Sequence, residues 1–123
     1  MSSAMADAPL LAILAADLDF HENLPRTFPH FPGAKDAFAD PVGREQAAKF
    51  NATLQIGYFL LGVRAAGLAA GPMGGFDTDA LDAEFFAGTT IKSHMVCCLG
   101  RADVARQRPR NPRLSFDQAC RLA

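Results

Sequence analysis

An excess of charge, a pair of cysteines placed for bridging and an apolar run of membrane length are all missing from this sequence. Twelve basic residues stand against thirteen acidic ones, a net charge of −1, so the balance gives no support to nucleic-acid or membrane-surface binding. Only three cysteines occur. Cys97 and Cys98 are adjacent, so in a strand they face opposite sides and cannot readily bridge, and Cys120 stands alone. No CxxC or Cys/His spacing suggests zinc or another metal. All three read as buried, inert thiols in a reducing compartment, the cytoplasm. The longest purely apolar run, Leu10 to Ala16, is too short to cross a bilayer, and without a basic flank or cleavage context it is no signal peptide. Internal repeats and low-complexity segments are also absent.

What remains is a globular composition. Half of the 123 residues are hydrophobic and ten are Phe, which suits one domain with a modest core. Residues 1–8 are small and polar and read as a flexible N-terminus; 9–123 read as the folded part. Leu10–Ala16, hydrophobic on both sides, predicts a central strand covered on both faces. Phe20 to Asp40 contains Pro25, Pro29, Pro32 and Gly33 among four phenylalanines, and predicts an ordered loop that packs its aromatics. His21 and His30 lie in it, read as surface or capping histidines.

Arg44 to Ala66 is a helical pattern, with Ala47, Phe50, Leu54, Tyr58 and Leu61 recurring at spacings of three and four. From Ile56 to Val63 it is apolar all round, and Gly57 and Gly62 allow close approach. A helix of that kind is buried in a core or between subunits. Gly67 follows as a C-cap, because glycine enters the left-handed conformation without strain. The stretch Gly67-Leu68-Ala69-Ala70-Gly71-Pro72-Met73-Gly74-Gly75-Phe76-Asp77 predicts a bare backbone loop between two helices, with Asp77 capping the second, which runs to about Phe86. Met95–Leu99 is a second strand candidate. Arg101 to Arg113 is extended, held so by Pro109 and Pro112, and Ser115 with Gln118 forms a capping box that opens a last short helix. Six arginines crowd this end, as a solvated tail or as an anion site. Two strands and three helices do not close a sheet alone, so the order looks like the later part of an α+β domain.

The Gly67–Asp77 stretch, the following Phe85-Phe86, the strand ending at Leu99-Gly100 and the closing Pro109-Arg110-Asn111-Pro112-Arg113-Leu114-Ser115-Phe116-Asp117 together resemble the FMN-dependent nitroreductase family. Leu18-Asp19-Phe20-His21-Glu22-Asn23-Leu24-Pro25 and Phe28-Pro29-His30 resemble its malonic semialdehyde reductase subgroup. The resemblance implies an α+β nitroreductase-like fold over 9–123, as a partial domain, with a long central dimerisation helix. It implies FMN as cofactor, NAD(P)H as electron donor, and a homodimer with flavins at its interface. Pro72, Met73, Gly74 and Gly75 resemble the loop along the flavin ring, where the amide at Gly75 donates to flavin N5. Many relatives carry glutamate at the position of Gly74. Arg110 and Arg113 resemble the pair that holds the FMN phosphate. No side chain is implied as a catalytic acid or base.

The resemblance also implies an N-terminal portion, with an Arg/Ser-rich phosphate-binding segment and a substrate-side Asn and Pro segment, that this sequence does not contain. Two readings therefore stand. One is a flavin oxidoreductase acting on a small aldehyde such as malonic semialdehyde, an enone, a quinone or a nitro compound. The other is a truncated, non-catalytic dimerising module.

Overall fold

Asp40 and Pro41 begin the longest element. The Asp40 carboxylate accepts from the Gly43 amide at 2.8 Å, and the proline ring sits at a position whose amide would have no partner. The helix, α2, spans Pro41–Ala65, starting three residues before the expected Arg44. Its end is a Schellman cap: the Leu68 amide donates to Val63 O at 3.1 Å and the Gly67 amide to Arg64 O at 3.0 Å. Gly67 makes this possible with φ of +79°. The computed structural model describes residues 7–122; the first six residues of the expected flexible N-terminus lie outside that range.

Three strands form one antiparallel sheet in the order β1–β3–β2: β1 is Leu10–Asp17, β2 is Ala69–Met73 and β3 is Ile91–Gly100. Two expectations are corrected here. Half of the glycine-rich stretch is strand β2, not a bare loop, because its backbone pairs with β3 from Ala69↔Gly100 to Met73↔Val96. A Cβ on Gly71 would meet Cys98 Cβ at 3.6 Å, an ordinary contact, so the pairing does not depend on glycine there. The central strand is β3, and β1 is an edge strand among the described residues. β1 pairs with β3 from Leu10↔Leu99 to Asp17↔Ile91, with an irregularity between Leu14 and Ala15.

β3 is also longer than the apolar run Met95–Leu99 predicted, because its polar half finds partners. The Ser93 amide donates to Asp82 at 2.8 Å, and His94 Nε2 and Thr53 Oγ1 of α2 lie 2.8 Å apart. Asp82 belongs to α3 (Thr78–Phe85), capped by Asp77 as expected through the Ala80 amide at 3.0 Å. Val96 and Cys97 are 2% and 0% exposed. Adjacent strand residues point to opposite faces, so both faces of β3 are covered there.

Two further short helices among the described residues are α1 (Leu24–Thr27) before α2 and α4 (Phe116–Ala119) near the end. α4 opens where the capping box predicted, with Gln118 Oε1 accepting from the Ser115 amide at 3.0 Å. The Phe20–Asp40 segment is a chain of tight turns whose Phe20 and Phe38 rings meet edge to face at 4.9 Å. Arg44 ties it to α2, donating to Phe38 O at 3.2 Å and lying 3.3 Å from His21 Nε2. His21 is consequently buried, not a surface histidine.

Candidate functional site

β2 delivers the glycine loop. Pro72 and Met73 are its last residues, paired with Cys97 and Val96, and Gly74 and Gly75 follow directly beyond the sheet. Pro72 follows the ladder without donating to it, which an edge strand tolerates. At Gly75 the backbone turns with φ of +74°, a conformation glycine adopts freely and branched residues avoid. A Cβ built on Gly74 or Gly75 meets nothing within 4 Å. Neither amide has a hydrogen-bond partner among the described residues. The loop therefore presents free donors to an open space with no side chain in the way. These features fit a flat, acceptor-bearing group laid against the main chain.

The second predicted group belongs to a later segment of the chain. Arg110 and Arg113 are exposed in the extended segment after β3. Arg113 donates through Nη1 to Asn111 O at 2.9 Å and Pro112 O at 3.3 Å, which curls its side chain onto its own turn. Arg110 has no ion-pair partner among the described residues. Both guanidinium groups can receive an anion. Pro72, Met73, Gly74 and Gly75 are consecutive on β2 and the turn beyond it, while Arg110 and Arg113 lie on the later segment that follows β3.

At the opposite end of the sheet, roughly 14 Å along β2 at a strand's rise per residue, lies an open cleft of about 500 Å³ lined by Cys98, Gly100, Arg101 and Arg106 among others. Sequence reasoning assigned nothing to it. Arg106 is there partly neutralised by Asp7 at 3.7 Å. The cysteines divide. Cys97 is fully buried, and desolvation pushes its thiol up from the ordinary range. Cys98 is half-buried and Cys120 exposed, so the expectation of three buried thiols holds for Cys97 alone. Cys120 falls on the C-terminal segment, which no strand or long helix covers. Among the described residues no cluster of His, Cys, Asp or Glu could hold a metal ion, and no helix is long and apolar enough to cross a membrane.

No family model matches the sequence. The fold is the nitroreductase fold: a nitroreductase of Bacillus subtilis, ydfN, superposes with a TM-score of 0.86 over 98% of this chain and 67% of its own, at 17% identity. A nitroreductase family protein of Streptococcus pneumoniae does so with 0.79 over 96% and 66%, at 16% identity. Sequence relatives carry the same class in their names. One of Leptothrix cholodnii, named an NADH dehydrogenase/NAD(P)H nitroreductase, is 54% identical over 116 residues, 94% of this chain and 59% of its own. HadB of Ralstonia pickettii, with the same class name, is 48% identical over 120 residues, 95% and 61%. The chain thus spans about three-fifths of the length of these relatives. Relatives and solved structures together support the nitroreductase family for this chain.

Proposed function

We propose that this chain is part of an FMN-dependent NAD(P)H oxidoreductase that reduces a small aldehyde, malonic semialdehyde being the candidate, or an enone, quinone or nitro compound. The observation that carries the reading is the open, donor-bearing backbone at Gly74 and Gly75. The names of the relatives support it, as does the likeness in fold to a Staphylococcus epidermidis protein described as an NAD(P)H:FMN oxidoreductase, with a TM-score of 0.75. When bound, FMN supplies the hydride-accepting and hydride-donating centre between NAD(P)H and substrate. This chain's part is to bind and orient. Pro72 and Met73 carry the loop on a paired strand, Gly74 continues it, and Gly75, with no Cβ, lets its amide approach the ring and donate to it. Arg110 and Arg113 hold the phosphate.

The same reading makes the protein a homodimer. Phe50, Leu54, Tyr58 and Leu61 form a stripe along α2 that is more than half exposed at every position, the kind of apolar surface an interface covers. The free thiols support a cytoplasmic location. A second reading, a non-catalytic dimerising module, draws on the Arg113 guanidinium, which is turned onto its own backbone, and keeps the same stripe. Adding FMN to the purified chain and following flavin fluorescence separates the two. Saturable one-to-one binding supports the oxidoreductase. A stable dimer that leaves flavin free in solution sinks it in favour of the module.

A further inference from the structure

A cluster of four charged side chains and one buried imidazole joins the Phe20–Asp40 segment to α2. His21 sits in the tight turn Phe20–Asn23 with 7% of its surface exposed. Arg44, near the start of α2, reaches into that turn. Its Nη1 lies 3.3 Å from His21 Nε2 and donates to Phe38 O at 3.2 Å, while its Nη2 faces Asp19 Oδ1 at 3.6 Å. Lys35 Nζ meets Glu22 Oε2 at 2.6 Å, and the other oxygen of Glu22 stands 3.6 Å from His21 Nε2. No other charged side chain pairs with these five among the described residues.

These distances fix the proton on the ring. A guanidinium donates and never accepts, so its contact with Nε2 requires a lone pair there and leaves the ring proton on Nδ1. Nδ1 is buried and has no hydrogen-bond partner among the described residues. Glu22 Oε1, at 3.6 Å, is too far from Nε2 for a hydrogen bond. The bond from Lys35, foremost, holds the Glu22 carboxyl below its ordinary 4.5, so that group keeps its charge in mild acid. The charges balance: Asp19 and Glu22 stand against Lys35 and Arg44. A second proton on His21 leaves the cluster positive and sets an Nε2–H against the Nη1–H of Arg44, on a side of the ring with little water to screen it.

We propose that His21 is a pH-sensitive latch: a second proton on its imidazole expels the Arg44 guanidinium and frees the Phe20–Asp40 segment from the start of α2. Imidazoles as a class change charge between about pH 5 and 8, where carboxylates, lysines and arginines ordinarily hold theirs. The latch is closed on the alkaline side of that range and opens as the pH falls through it. Arg44 holds the segment near both ends, through Asp19 and through Phe38 O, so its displacement loosens both at once. The inference uses none of the residues assigned to flavin and stands whether or not that reading holds.

The test is amide hydrogen exchange on the 123-residue chain, corrected for the intrinsic effect of pH. The amides of Phe28, Ala34 and Phe38 are bonded within the segment. Their protection should fall about tenfold or more between about pH 7.5 and about pH 5.5, while that of β3 stands. His21→Gln offers Arg44 an acceptor that takes no proton, and its protection should stay level across the range. Arg44→Gln keeps a donor and removes the charge, so its protection, whatever its level, should also cease to follow pH. Undiminished protection in the parent at the lower pH overturns the proposal. A loss that persists in His21→Gln overturns it too, since His30 and His94 remain in that variant and the effect would be theirs. So does a loss that persists in Arg44→Gln. Where neither variant folds, the parent decides through the ring C–H resonances of His21, which should shift over the same pH interval as the protection. A ring that takes up its proton while the segment stays protected is no latch.

Discussion

Gly74 and Gly75 look alike in sequence but test different things. Gly75 has φ of +74°, so Gly75→Val strains the backbone whether or not a ligand is bound, at a cost of about 1–2 kcal/mol. Gly74 has no such restriction and open space where a Cβ would go. Gly74→Val should therefore melt as the parent does and keep its flavin, since the resemblance places glutamate there in many relatives. Gly75→Val should lose flavin even where circular dichroism shows the helices intact. Unchanged flavin binding in a folded Gly75→Val would remove the loop from the cofactor site. The arginines give a parallel test. Each charge-assisted contact to phosphate contributes about 1.5–3 kcal/mol, so replacing Arg110 and Arg113 with alanine should lower FMN affinity by about a hundredfold or more. Replacing Arg101 and Arg106, which line the far cleft, should change it far less. Equal losses would mean diffuse attraction only.

Asp82 sets the acid limit on one joint. Its carboxylate accepts from the buried Ser93 amide at 2.8 Å and faces Lys92 at 3.6 Å. The Ser93 amide, foremost, holds its pKa below the ordinary 3.8. The folded form thus binds the proton less readily than the unfolded one, and the contribution to stability is present above pH 3.8 and lost as pH falls through the depressed value. Asp82→Asn should flatten the acid limb of a stability–pH curve. A limb identical to the parent's would show that the α3–β3 joint does not carry it.

At the scale of the element, α2 has two apolar faces with different fates. Ala48 and Ile56 are buried, Ile56 beside Ile13 and Leu14 of β1, while Phe50, Leu54, Tyr58 and Leu61 face outward. Ile56→Ala should therefore destabilise the fold by about 2–4 kcal/mol in chemical denaturation. Gly57 has no atom within 4 Å of its Cβ direction, so a bulky residue there is tolerated by the chain itself. Gly57→Leu should leave the helix content intact and weaken self-association if two copies of α2 approach closely at that point. Dimer affinity unchanged in sedimentation measurements would place the interface elsewhere on the helix.

For the molecule as a whole, the core is thin. Seven hydrophobic residues are buried, three of them alanine, while fifteen large ones are exposed among the described residues. So much uncovered apolar surface predicts association, and light scattering should report a dimer at micromolar concentration. A well-folded monomer there would refute the homodimer. Exposed residues also fill the chain from Arg101 onward, which leaves Leu114, Phe116 and Leu122 without cover from their own domain.

Local chemistry was enough to determine α2, α3 and α4 from the sequence, though not α1, which lies inside the segment read as a loop. The 3.6-residue period marked α2, Gly67 its end, Asp77 the start of α3 and Ser115 with Gln118 the start of α4, because each signal acts within a turn of backbone. The order of these motifs also carried the resemblance that the fold bears out. Tertiary structure alone decided the rest. Ala69–Met73 is a strand because β3 offers its edge to a segment rich in glycine and proline, against local preference. Lys92, Ser93 and His94 join β3 because Asp82 and Thr53, distant in sequence, meet them there. The stripe on α2 and the buried Ile56 were indistinguishable by hydrophobicity. Which face turned inward was settled by where the sheet lay, since burial depends on neighbours that a periodic pattern does not name.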